Sequence, residues 1–503
     1  MIMRSPRIRP IRVQLGLFMG LAVVLWAALP AGAASLTTEL ISVSSSGQQG
    51  NGDSFPGSIN PDGRLVVFCS TASNLVPGDT NGALDVFRRD RSTGQTIRVS
   101  VSSSGEQGNG DSCDPAVSAD GNLVAFDSDA SNLVPGDTNR NTDVFVHDVA
   151  TGETIRVSVT SSGKQAQGDS FGPVISDDGQ LVVFTSSARL VPGDTNRRLD
   201  VYAHDLLTGQ TTLVSVSSTG GLGNDDSFTD GPTIVDDRLV TFPSFASNLV
   251  PGDTNGALDV FLHDLVSGQT TRVSVSSSGQ QGDGDSFASR LSANGRFVAF
   301  SSGADNLVRH DTNGFADCFV RDLKTGKTTL VSVSSTGEQG NDNSLSSKGI
   351  SADGRFVAYR SFASNLVPGD TNGGADAFLF DRSTGQTVLA SVSATGEQGV
   401  YPTPDGSYNV SISENGAWVL FGSVATNFVP GGDTNGPDNG DTYVRGPFGS
   451  GSSAQALART ITSQGNEPGA SAPSRWSPAC RGLSVLERYL ARLPALAQAA
   501  CAM

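Results

Sequence analysis

The chain repeats itself, and this constrains its fold more than any other feature. The phrase Val-Ser-Val-Ser, with small variations, returns with its second apolar residue at Val43, Val101, Val159, Val216, Val275, Val333 and Val392, at spacings of 57 to 59 residues. A second phrase, Pro-Gly-Asp-Thr-Asn, runs in step with it. Its Asp is Asp79, Asp137, Asp194, Asp253, Asp311, Asp370 and Asp433. The fifth copy has Arg309-His310 in place of Pro-Gly, and the seventh carries an extra Gly432. Over 503 residues, length alone would suggest three or so domains. Seven copies in register point instead to one repeat architecture.

Each unit divides into four short strands. A first strand leads to an Asp-Gly or Asn-Gly turn, such as Asp62-Gly63, Asp120-Gly121 or Asn294-Gly295, whose residues accept the positive φ of a tight hairpin. The second strand is continuously apolar, as in Leu65-Val66-Val67-Phe68, which implies cover on both faces. A long loop precedes a third strand of the type Asp143-Val144-Phe145-Val146-His147-Asp148. A Thr-Gly or Ser-Gly turn then opens the fourth. That strand alternates, with Ile97, Val99 and Val101 on one face and Arg98, Ser100 and Ser102 on the other, the pattern of a half-exposed outer strand.

One four-stranded blade cannot bury both of its faces, so the expected fold is all-β, a seven-bladed β-propeller of four-stranded antiparallel blades. Closure follows from the chain ends. Thr37 to Val43 reads as a fourth strand with no first three before it. The last unit holds only three, Asn409–Ser413, Ala417–Gly422 and Asp441–Arg445. The N-terminal strand can therefore close the final blade and cover two bare edges.

The hairpin Ser351-Ala352-Asp353-Gly354-Arg355-Phe356-Val357-Ala358-Tyr359, and third strands such as 143–148 ahead of Thr151-Gly152, resemble TolB-like propeller repeats over roughly residues 35–446. The resemblance implies the fold; propellers of this kind serve as scaffolds, enzyme caps and binding modules, so it implies no single function. Units of about 58 residues exceed the usual 40–45, and the surplus lies in two loops. In an antiparallel blade the tight first-to-second and third-to-fourth turns share one face of the disc. The long loops, within and between blades, share the other, which is where binding is expected.

Those loops carry recurring oxygen donors. Within the blades stand Asp79/Asn81/Asp85, Asp137/Asn139/Asp143, Asp194/Asn196/Asp200, Asp253/Asn255/Asp259, Asp311/Asn313/Asp317 and Asp370/Asn372/Asp376. The seventh set is stretched, at Asp433/Asn435/Asp441. Oxygen ligands at alternate positions suit a hard cation, and the pattern resembles the calcium loops of integrin-type propellers, shortened by two residues and lacking one carboxylate. Calcium is thus one expectation for these metal-candidate residues. The other is ordinary turn chemistry, in which Asp and Asn bond neighbouring amides and Gly takes the left-handed conformation.

Other motifs read as repeat grammar. Gly52-Asp53-Ser54-Phe55 resembles the nucleophile block of one esterase family. It recurs at Gly168-Asp169-Ser170 and Gly284-Asp285-Ser286, which argues against a single catalytic serine. His147, His204 and His263 share one repeat position with Arg89 and Arg321, and are expected on a solvated strand edge. Cys69 and Cys113 fall near the elaborated face. They can pair across adjacent blades in an oxidising compartment, although burial as two free thiols is the expectation. Cys318 reads as core, and Cys480 and Cys501 belong to the tail.

Residues 1–34 read as a signal peptide: Arg4, Arg7, Arg9 and Arg12, an apolar Leu15 to Leu29, then Ala31-Gly32-Ala33. The expected organisation is this signal, a propeller over 35–446, a Ser/Gly/Ala/Pro-rich linker over 447–481 and a short helical or disordered tail over 482–503. With 50 acidic against 33 basic residues the net charge is −17, which argues against nucleic acid as partner. The composite expectation is a secreted, extracellular or periplasmic monomer with no membrane span after cleavage. It would act as a non-enzymatic binding or scaffold module for a protein or carbohydrate ligand on its acidic long-loop face, with calcium organising that face. The competing expectations are a hydrolase or lyase with its site at the axial mouth of the same face, and a TolB-like component of an envelope complex.

Overall fold

The computed structural model describes residues 35–228, 234–345, 349–404, 406–436 and 439–449. The expected signal, the tail and nearly all of the linker, with Cys480 and Cys501, lie outside them. Seven four-stranded antiparallel sheets form, six of them from strands consecutive in the chain. Blade one is typical: Ser54–Ile59, Leu65–Ser70, Asp85–Asp90 and Gln95–Arg98. The seventh is composite. Ser407–Ile412, Val419–Ser423 and Asp441–Gly446 are joined at the edge by Thr37–Leu40, in the register Thr37↔Gly446 to Leu40↔Tyr443. The ring closes as the strand count requires.

First strands of neighbouring blades touch one another and so line the axis, which places the fourth strands at the rim. Each blade is held internally by an aromatic pair across its second and third strands. Phe68–Phe87 is the first, with ring centroids 5.7 Å apart, and Phe421–Tyr443 the last, at 5.8 Å. Such cross-strand pairs contribute about 0.5–1.5 kcal/mol each beyond the area they bury. Between blades the faces interleave: Val67, Val86 and Val99 of blade one share a buried cluster with Val124, Phe126 and Phe145 of blade two. The second strand is buried throughout because it is covered on both sides.

The tight turns are also linked around the ring. Ala119 N–H donates to the Asp177 carbonyl at 2.9 Å, Ala352 N–H to that of Glu414 at 2.8 Å, and Asn415 N–H to that of Pro61 at 3.2 Å, the last joining blade seven to blade one. Gly121 shows why the turn needs glycine. Its φ is +79°, and a Cβ there would sit 1.8 Å from Leu65 Cδ1 of the preceding blade.

Three expectations need correction. The fourth strand is shorter than its alternation suggests: its ladder ends near Val99, and Ser100 Oγ then accepts from Val86 N–H at 3.1 Å in place of a backbone carbonyl. Its polar face is not solvated either, because Ser100 is fully buried beneath the within-blade loop. The histidines are buried too, not set on a solvated edge. His147 Nδ1 lies 2.8 Å from Thr154 Oγ1, and that hydroxyl donates to the Val101 carbonyl of the preceding blade at 2.5 Å. Arg89 can replace His because its guanidinium reaches the equivalent Thr96 hydroxyl at 2.9 Å as well as carbonyls of the adjoining segment. This position joins blades. Finally, Cys69 and Cys113 form a disulfide, with Cα atoms 5.2 Å apart, instead of remaining free thiols. The first strand of blade two and the second strand of blade one bring them together because Cys113 stands where most other units place Phe. Cys318 is buried, as expected for core.

Candidate functional site: the carboxylate loops

In all seven Asp-Asn-Asp sets the first Asp and the Asn lie in the loop between second and third strands and the second Asp opens the third strand, each set near the segment that leads to the next blade. In blade one, Gln107 from that segment directs Nε2 at Asp79 Oδ1 (3.0 Å) and Asp85 Oδ2 (3.3 Å). Ser100 Oγ donates to Asp85 Oδ1 at 2.5 Å. The Arg98 guanidinium stands 3.4 Å from Asp79 Oδ1 and 3.3 Å from Asp85 Oδ2. Asn81 Nδ2 donates to Asp85 Oδ2 and to the Gly108 carbonyl, both at 3.0 Å, while its Oδ1 accepts from Ala83 N–H at 3.1 Å. The last contact is the Asx turn of the turn-chemistry expectation.

Blades two and four repeat the arrangement. Arg156 bridges Asp137 and Asp143 at 3.4 Å, and Arg272 bridges Asp253 and Asp259 at 3.2 Å. Gln165 and Gln281 complete the two sets. Burial raises the pKa of Asp79, Asp143, Asp253 and Asp259, partly offset by the guanidinium.

In the other four blades the Arg position is Leu213, Leu330, Leu389 and Leu40. Blade five keeps the glutamine bridge, with Gln339 Nε2 2.6 Å from Asp311 Oδ1 and 2.9 Å from Asp317 Oδ2. In blade seven, Gln49 Nε2 reaches Asp433 Oδ1 at 2.8 Å and Asp441 Oδ2 at 2.6 Å, while Ser42 Oγ donates to Asp441 Oδ1 at 2.6 Å. In blade six, Gln398 donates to Asp370 at 3.2 Å, Asn372 to Asp376 at 2.9 Å, and Tyr401 OH to Asp376 Oδ1 at 2.6 Å. Without a guanidinium, burial dominates: it lifts Asp311 and Asp376 to about 6, and Asp370 and Asp441 to about 7.

The asparagines depart from the ligand role that the spacing suggested, because they present an amide N–H, not an oxygen, to the carboxylate. Asn139 Nδ2 donates to Asp143 Oδ2 at 3.0 Å, Asn255 to Asp259 at 3.2 Å and Asn313 to Asp317 at 2.8 Å. Their oxygens are taken up by the turn itself. Asn139 Oδ1 accepts from Asn141 N–H at 3.0 Å, Asn255 Oδ1 from Ala257 N–H at 3.1 Å, and Asn313 Oδ1 from Phe315 N–H at 3.0 Å. Asn372 does the same with Gly374 N–H at 3.2 Å. Asn435 differs because its loop is stretched. Its backbone N–H donates to Asp433 Oδ1 at 2.9 Å and its Nδ2 to Asp441 Oδ2 at 3.5 Å, while its buried Oδ1 has no partner among the described residues.

These donor sets bear on the calcium expectation. A hard cation needs free oxygen lone pairs. In blades one, two and four a fixed guanidinium already lies against the oxygens such an ion would take, and the residues there do not fit calcium. In blades five to seven an amide N–H points into the same place. Asp194, Asn196 and Asp200 of blade three form the exception: Gln becomes Leu222 and Arg becomes Leu213. Among the described residues, no group of three or more His, Cys, Asp or Glu side chains is arranged to hold a metal ion.

The residues missing from the sequence reading are thus the bridging glutamines, Arg98 with its two equivalents, and the Ser100 series. Their signal was present. The glutamine recurs in every unit except the third, and the strand position alternates between Arg and Leu only.

The remaining motifs are structural. Asp111 Oδ1 accepts from Leu84 N–H at 2.9 Å, Asp285 Oδ1 from Leu258 N–H at 2.9 Å, and the following serines pair in the core, as in Ser112 with Ser128 at 2.8 Å. The first strands open at the axis with Phe55, Cys113, Phe171, Phe228, Phe287, Leu345 and Tyr408. Phe171, Phe228, Phe287 and Leu345 share one buried cluster, and the rings of Phe55 and Tyr408 lie 6.1 Å apart. Apolar side chains occupy that inner ring. Tyr408 OH donates to the Ser54 carbonyl, so the departure at Val400–Tyr408 joins blades seven and one.

No protein-family model matches the sequence, and no curated protein matches it. Solved structures do resemble the fold. An oligogalacturonate lyase in complex with manganese is 14% identical, with a TM-score of 0.48 over 82% of this chain and 97% of that one. An oligogalacturonate lyase from Vibrio parahaemolyticus is 12% identical, also with a TM-score of 0.48 over 82% and 97%. TolB from Acinetobacter baumannii is 16% identical, with a TM-score of 0.36 over 67% of this chain and 65% of that one. Likenesses this distant are ones of fold, and any function must be argued from this chain's own residues.

Proposed function

We propose that this propeller is an exported, non-enzymatic module that binds a protein or carbohydrate partner on its long-loop face. The observation that supports the reading is the fate of its reactive groups. The repeated serines pair with serines, the buried histidines with threonines, and the Asp of most loops with Gln, Asn, Ser or Arg. The inner ring of first-strand residues on the long-loop side is apolar. What that face does offer is a set of exposed polar loops, with Thr80, Thr138 and Thr254 at repeated positions.

Site-specific photo-crosslinking in producing cells tests this. A photoreactive residue at position 80 or 138, exposed in the within-blade loops, should yield a discrete adduct with a partner outside the cytoplasm. The same probe at position 120, in a tight turn of the opposite face, should not. Adducts from position 120 alone, or retention of the protein inside the cell, would refute the reading.

A further inference from the structure

The third blade departs from the other six at the same place in its loop, and the departure leaves charge unpaired. In blades one, two, four, five and seven, Oδ1 of the first Asp and Oδ2 of the second converge on one glutamine nitrogen, as Asp79 and Asp85 do on Gln107. In blade three that glutamine is Leu222, and the Arg position is Leu213. The equivalent atoms, Asp194 Oδ1 and Asp200 Oδ2, are buried and have no hydrogen-bond partner among the described residues. The residues are 4% and 0% exposed.

Their other oxygens are held firmly. Ser215 Oγ donates to Asp200 Oδ1 at 2.7 Å, and the Tyr202 hydroxyl, 3.0 Å from the Ala188 carbonyl, bonds Asp194 Oδ2. Tyr202 stands where most units place Phe, so the blade supplies a new group that fixes this carboxylate in position. Asn196 Nδ2 keeps the bond to the following segment, to the Gly223 carbonyl at 3.2 Å, as Asn81 does to Gly108, but lies beyond hydrogen-bond length of Asp200 Oδ2, which Asn81 reaches on Asp85.

We propose that the third blade holds a single hard divalent cation, calcium being the first candidate, between Asp194 Oδ1 and Asp200 Oδ2, in the place that the other blades give to a glutamine amide. Burying two carboxylates without a counter-charge is strongly unfavourable. One divalent ion matches their combined charge, and water can complete its oxygen coordination. The inference is independent of whether the long-loop face binds a partner. It also narrows cation binding from seven loops to one.

Calorimetric titration of calcium chloride into the chelator-stripped full chain tests it. The expected result is one ion per chain, with a Kd on the order of 10⁻⁴–10⁻³ M for so few charged ligands, and a melting midpoint that rises by a few degrees with calcium. In Leu222→Gln, and in Leu213→Arg/Leu222→Gln, binding should vanish and the metal-free midpoint should itself rise. Both substitutions restore what other blades carry, so these variants are expected to fold even where Asp200→Asn does not. Absence of heat and of any midpoint shift with calcium, magnesium or manganese would overturn the proposal. So would binding that persists unchanged in the double variant. A wild-type protein indifferent to all three ions, with an Asp200→Asn variant melting above it, would show that the pair is held by a shared proton instead.

Discussion

Asp441 sits at the seam of the ring, so the charge buried there should set how closure depends on pH. Its carboxylate accepts from Ser42, which follows the N-terminal closing strand, and from Gln49, and its pKa is raised to about 7, chiefly by burial. The sign follows directly. A carboxyl that holds its proton more tightly when folded contributes stability in acid, and that contribution is lost as pH rises through about 7. With an unfolded value of about 3.9, linkage makes this one group cost about 1–2 kcal/mol at pH 5 and about 4 kcal/mol at pH 8, relative to its protonated form. The difference is about 2–3 kcal/mol.

Asp441→Asn removes the titration. It also loses an acceptor for Gln49, a penalty of about 1–3 kcal/mol that does not depend on pH. Urea unfolding of both proteins at about pH 5 and about pH 8, in metal-free buffer, separates the two effects. Burial lowers the pKa of His147, His204 and His263, which titrate in the opposite sense, so the wild-type trend alone is not diagnostic. The diagnostic quantity is the gap between the two proteins' pH responses. If both shift in parallel to within about 0.5 kcal/mol, Asp441 is not buried as a charge at the seam and the reasoning fails.

Two further outcomes are expected. The Cys69–Cys113 bond closes a loop with a sequence separation of 44, so Cys69→Ala/Cys113→Ala should lose up to about 4 kcal/mol by chain entropy. Equal denaturant midpoints for the parent and the double variant would contradict this. Thr154→Val keeps the shape of the side chain but deletes the donor to the Val101 carbonyl and strands the ring of His147. It should cost about 1–3 kcal/mol in a melting series at neutral pH, and an unchanged midpoint would mean that the blade junction does not depend on this hydroxyl.

The fold was legible because the information that determines it is local and repeated. Strand periodicity, Asp-Gly turns and the missing or surplus strands at the two ends all survive in the linear sequence, and the structure places Thr37–Leu40 beside Asp441–Gly446 as the count demands. The candidate site was legible only in part. Asp79, Asn81 and Asp85 stand out because they share one loop, but what they bond comes from Arg98, Ser100 and Gln107, which lie 13 to 28 residues further on. Nor does an Asn in a sequence say which end of its amide faces a carboxylate; at Asn139, Asn255 and Asn313 the turn claims the oxygen and leaves the N–H. Alternation along the fourth strand could not reveal that its polar face is covered, because the groups that meet Arg98 and Ser100, Asp79 and Asp85, are themselves polar. The histidines misled for a related reason. Interchange with Arg looks like solvation, yet both side chains meet the same threonine hydroxyl inside a blade junction.

The closing strand has a temporal consequence. Thr37 meets Gly446 across 409 residues of sequence, so the segment that finishes the seventh blade is made first and used last. Six blades can assemble from neighbours in the chain as they emerge, whereas the seventh must wait for the final unit. Closing so distant a contact is slow because the entropy of the intervening chain has to be overcome first. Until then, an incomplete arc exposes two unpaired blade faces, and the rate at which the two ends find each other sets how long the unfinished protein is open to aggregation.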